Sequence, residues 1–88
     1  METPAQYGQE PAEIRPETLR KYGAGWEQPT PAEVRAVIQL AGLTGGEAAQ
    51  LVGLSDSRTV RRWTGGQSNI PFAAWAILCE VAGLGIIW

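Results

Sequence analysis

Two short segments, Thr30-Pro31-Ala32-Glu33 and Thr44-Gly45-Gly46-Glu47, constrain the fold more than any other feature of the chain. Each sets a threonine three residues before a glutamate, the pattern in which hydroxyl and carboxylate cap each other's backbone N–H groups and start a helix. Pro31 suits the first helical position, where no backbone donor is needed. The two starts lie so close that the first helix is confined to about residues 31–41, with Val34, Val37, Ile38 and Ala41 as its apolar stripe and Gly42 as its stop. The second carries Ala48, Ala49, Leu51 and Val52 and stops at Gly53. Two glycines in its first turn weaken it by about 1 kcal/mol each, so tertiary packing has to hold it.

Leu54 then opens a turn, and Ser55, Asp56 or Ser57 caps a third helix that reaches Trp63 or Thr64 before Gly65-Gly66. After a polar loop at 66–69, Pro71 starts a fourth helix running to about Ala82, with Phe72, Trp75, Ala76 and Cys79 on one face. The pattern predicts an all-α protein, a compact bundle of about four or five short helices. Residues 30–88 form the bundle. Residues 1–29 read as a partly ordered N-terminal arm, because Pro4, Pro11, Pro16 and Pro29 leave room only for a short helix from Glu17 to Tyr22.

Composition narrows the function. The 88 residues contain no histidine and one cysteine, which rules out an intrachain disulfide, a histidine-containing metal site and histidine-based catalysis. The sequence shows no secretory signal and no apolar run long enough to span a membrane, as expected for a protein of the prokaryotic cytoplasm. Glu33 and Glu47 are explained as caps, and Cys79, Trp63 and Trp75 as core residues. No cofactor and no small-molecule effector are expected. The formal net charge of −2 is carried by residues 1–28, whereas residues 29–88 are balanced and hold Arg58, Arg61 and Arg62 within one short stretch. Screening makes such a local cluster matter more for nucleic-acid contact than the total charge.

The third helix gives that cluster a direction. With Val60 and Trp63 turned inward, Arg58, Arg61 and Arg62 fall at about 160°, 100° and 200° from Val60 on the helical wheel, away from the core. Ala49 is small where the second and third helices cross, Gly53 allows a positive φ in the turn, and Leu54 plugs the corner. Two short helices joined by a tight turn, the second bearing arginines, are the makings of a helix-turn-helix. The expected DNA-binding residues are Ser57, Arg58, Thr59, Arg61 and Arg62, with Gln67, Ser68 and Asn69 as phosphate contacts ahead of the fourth helix or as a plain linker.

The stretch Leu43 to Pro71, and within it EAAQLVGLS and TVRRWTGG, resembles the lambda-repressor-like class of helix-turn-helix regulators, also called the XRE or Cro/CI class. It is similar above all to small repressors encoded on broad-host-range plasmids and mobile elements. The likeness covers about residues 30–82. It implies repression of transcription by a homodimer on a palindromic operator. The turn is one residue longer here than is usual in the class, and Gly45 stands where many members have a glutamine. The apolar tail, with Leu84, Ile86, Ile87 and Trp88, is the expected dimer contact, the alternative being that it folds back on its own core. A different use of the same fold is a protein-interaction module, an antitoxin or adaptor, which has no need of an arginine face.

Overall fold

The computed structural model describes residues 14–88. Among them are four α-helices, α1 (Pro31–Leu40), α2 (Gly45–Leu51), α3 (Arg58–Gly65) and α4 (Phe72–Val81), and no strand. Both capping boxes are formed. The Thr30 hydroxyl accepts from the Glu33 N–H at 3.1 Å while the Glu33 carboxylate accepts from the Thr30 N–H at 2.7 Å. Thr44 and Glu47 repeat the pattern at 3.1 and 2.8 Å. The third helix starts differently. No side chain caps it from Ser57; instead Asp56 Oδ1 accepts from the Arg58 N–H at 2.8 Å. The Asp56 carboxylate thus closes a tight local turn at the start of the helix.

α3 packs against both α1 and α2, and α4 packs against α1. Val34 and Val37 of α1, Ala48 and Ala49 of α2, Val60 and Trp63 of α3, and Trp75, Leu78 and Cys79 of α4 form one buried cluster, closed by Ile70 and Ile87. Leu54 packs on its edge. Gly53, at φ +86°, turns the chain after α2 so that the Leu54 N–H reaches back to the Ala49 carbonyl at 2.8 Å. Gly66 ends α3 at φ +83°, and a Cβ there would meet Pro31 Cγ at 3.3 Å. Alanine at Gly53, where nothing lies within 4 Å of the added carbon, is expected to destabilise by about 1 kcal/mol from the left-handed backbone alone. Alanine at Gly66 adds the contact with Pro31, and a loss of about 2 kcal/mol is expected. Urea denaturation distinguishes the two; equal losses would show that Pro31 yields freely.

Residues 14–29 do not form a loose arm. Pro16–Leu19 and Tyr22–Ala24 are short 3-10 turns, in place of the expected helix from Glu17 to Tyr22. Ile14, Leu19 and Trp26 pack against the core. The Trp75 indole N–H donates to the Thr18 carbonyl at 2.7 Å, and the Gln28 side-chain amide donates to the Ile70 carbonyl at 2.8 Å. Residues 1–13 of the expected arm lie outside the described residues.

The strongest polar link holds this segment to α1. Glu33 is only 2% exposed. The Arg15 guanidinium grips it in a two-pronged pair, Nε to Oε2 at 2.9 Å and Nη2 to Oε1 at 3.1 Å, and the Arg15 backbone N–H adds a bond of 2.9 Å. The same carboxylate therefore caps α1 and anchors residues 14–29. Burial pushes the Glu33 carboxyl upward, but the Arg15 guanidinium and the Arg15 and Thr30 N–H donors outweigh it and bring its pKa down to about 2.

Candidate nucleic-acid interface

Val60 and Trp63, 2% and 5% exposed, fix the inward side of α3. The opposite side carries Arg58, Arg61 and Arg62, all exposed, so the three arginines emerge together on one face. Arg61 Nη1 donates to Ser57 Oγ at 2.6 Å, which draws that guanidinium toward the start of the helix. Arg58 lies 3.9 Å from Asp56 with most of its side chain in solvent, a pair too exposed to hold it firmly. Thr59 is half-buried on the flank of the helix. Gln67, Ser68 and Asn69 are exposed in the loop that follows, at the other end of α3 from Ser57. A surface of this kind has the donors to engage phosphate oxygens or the O6 and N7 acceptors of guanine.

A residue not singled out from the sequence also belongs to this region. Arg35, exposed on α1, donates through Nη1 to the Thr64 carbonyl and ties α1 to the end of α3. Its signal in the sequence is its place off the Val34–Val37–Ile38 stripe, where a charged side chain has no core to enter.

A separate surface of the bundle, on α4, is apolar. Phe72, Ala73, Ala76, Ile77 and Trp88 line a groove of about 310 Å³ on α4. The four tail residues separate here. Ile87 is 5% exposed and part of its own chain's core, with half-buried Leu84 packed against that core, whereas Ile86 and Trp88 are 63% and 57% exposed. Cys79 is fully buried, and burial pushes its thiol up to about 12, the behaviour of a small core residue. Among the described residues no helix is long and apolar enough to cross a membrane, and no group of carboxylates and thiols is placed to hold a metal ion.

An all-helical bundle that presents a basic helix face suits a small regulatory protein. The chain belongs, more narrowly, to the KorC family of transcriptional repressors. It is 60% identical over 77 residues to the transcriptional repressor protein KorC of Escherichia coli, a match spanning 85% of this chain and 89% of that one. A second Escherichia coli protein of the same name is 56% identical over 79 residues, 88% of this chain and 92% of its own. A match of this length extends beyond residues 30–88 into the N-terminal segment, in keeping with the packing of residues 14–29. No family model matches the chain, and no solved structure matches it.

Proposed function

We propose that this repressor acts as a homodimer on a palindromic DNA operator, with α2 and α3 as a helix-turn-helix of the lambda-repressor-like class and α3 in the major groove. The observation that carries this reading is the outward grouping of Arg58, Arg61 and Arg62 on a helix whose other side is fixed by Val60 and Trp63. Ser57 and Thr59 flank the base-reading face, and Gln67, Ser68 and Asn69 meet phosphates beside it. Base contacts give specificity while phosphate contacts fix register. Selection of bound duplexes from a random library tests the reading. The expected product is one inverted repeat with half-sites about one helical turn apart, bound by two chains. Enrichment of no sequence, or of an isolated half-site bound by one chain, contradicts it.

The dimer reading assigns the contact to α4 and the exposed ends of the tail, Ile86 and Trp88, and leaves Ile87 to hold the fold. Replacing Ile86 and Trp88 together with alanine is expected to give a folded monomer with weakened operator binding. Replacing Ile87 with alanine is expected to destabilise the fold by about 2–4 kcal/mol through the cavity it leaves. Sedimentation and thermal melting separate the two effects. A dimer that survives the double replacement places the interface elsewhere.

A further inference from the structure

A groove of about 400 Å³ lies between α1 and α3. Its floor includes Ile38 and Leu43, and its rim includes Arg35, Gln39, Arg61 and Thr64. We propose that it seats one sugar–phosphate unit of the DNA backbone beside the recognition helix, with Arg35 as a phosphate-binding residue. This rests on the reading of α3 as the element that enters DNA.

Three observations support an anionic occupant. Arg35 and Arg61 both border the groove, and among the described residues neither has a carboxylate within ion-pair distance. No acidic side chain lines the groove. Arg35 uses one N–H on the Thr64 carbonyl and Arg61 one on Ser57, which leaves each guanidinium with most of its five donors to offer. Gln39 follows Arg35 by one helical turn, so the two side chains rise from the same face of α1. The occupant also has an apolar part, since the groove floor is aliphatic. A deoxyribose with its phosphate meets both requirements. Arg61 belongs at once to this rim and to the outward face of α3, so a duplex laid on Arg58 and Arg62 carries its backbone past Arg35.

The test compares wild type with Arg35→Gln, which retains an amide donor for the Thr64 carbonyl but no charge, and with Arg35→Lys, which retains the charge. Thermal melting first establishes that each variant is folded. The probes are a duplex selected by the wild type and a random-sequence duplex of about the same length, each titrated over a range of salt. Arg35→Gln is expected to weaken binding to both duplexes alike, by about tenfold, and to lower the slope of log affinity against log salt by about 0.9. Arg35→Lys is expected to keep the slope. Neutral methylphosphonate placed singly along the selected duplex gives an independent reading. One position should weaken the wild type and leave Arg35→Gln unaffected. An unchanged slope and affinity for folded Arg35→Gln, with no such position, overturns the phosphate seat while the wild type still binds DNA. Failure of the wild type to bind either duplex overturns the DNA reading beneath it.

Discussion

Simultaneous replacement of Arg58, Arg61 and Arg62 by alanine is expected to leave the protein folded and to weaken binding to its selected DNA by at least about a hundredfold. A base-reading arginine contributes about 1–3 kcal/mol, and about 1.4 kcal/mol is a factor of ten in affinity. The three are close neighbours, so their losses do not simply add. Even a combined loss of about 3 kcal/mol exceeds a hundredfold. The fold should survive because none of these side chains is part of the core, the Arg58–Asp56 pair is exposed, and alanine favours a helix. Single replacements sort the roles. A base-reading arginine relaxes preference at one position of the site, whereas a phosphate-binding one weakens all sequences alike. A triple variant that melts like the wild type and binds with wild-type affinity and specificity removes α3 from the interface.

The second large effect concerns stability. Arg15→Ala leaves the Glu33 carboxylate buried without its cation, and a loss of about 3 kcal/mol is expected, near the lower end for breaking such a pair because Arg15 is itself partly exposed. In a domain of this size that lowers the melting temperature by at least about 12 °C. The pH dependence carries the signature. In the wild type the Glu33 pKa lies at about 2, below its ordinary value of 4.5. A carboxyl depressed in this way contributes stability that is complete above the ordinary value and is lost as pH falls through the window from 4.5 to about 2. The shift corresponds to about 3 kcal/mol. Without the Arg15 guanidinium, only the backbone N–H donors of residues 15 and 30 oppose desolvation of the carboxyl, so the deficit of the variant should be largest near neutrality and narrow in acid. Denaturant melts across this range check the sign. A wild type whose stability is flat between pH 4.5 and about 2 would show that the clamp does not hold the native state.

The four helices were legible in the sequence because their ends are written in local chemistry. Thr30 with Glu33, Thr44 with Glu47, and Gly42, Gly53 and Gly66 act within a few residues of themselves. The orientation of α3 was legible for a related reason. Val60 and Trp63 alone fix which side faces inward, and the arginines follow from helical geometry. The links that depend on distance were not. Arg15 meets Glu33 across 18 positions and Gln28 meets Ile70 across 42, separations at which no periodicity pairs residues. Hence residues 14–29 read as an arm although Thr18 is fully buried. The tail was ambiguous for another reason. Ile86, Ile87 and Trp88 are all apolar, and only the path of the chain after α4 decides that Ile87 enters the core while its neighbours face out. Arg35 has no distinguishing signal of its own, since a lone arginine on a helix surface resembles any solvated charge until the opposing Thr64 carbonyl is known.

Methylation interference on the selected duplex tests the placement of α3 in the major groove most directly. Methylation at guanine N7 blocks an acceptor presented only there, whereas methylation at adenine N3 lies in the minor groove. The expected pattern is strong interference at guanine N7 in both halves of an inverted repeat, weakened at specific guanines when Arg58, Arg61 or Arg62 is replaced singly by alanine. Tight, sequence-selective binding that tolerates N7 methylation throughout the site and is blocked only at adenine N3 would contradict major-groove recognition by this helix.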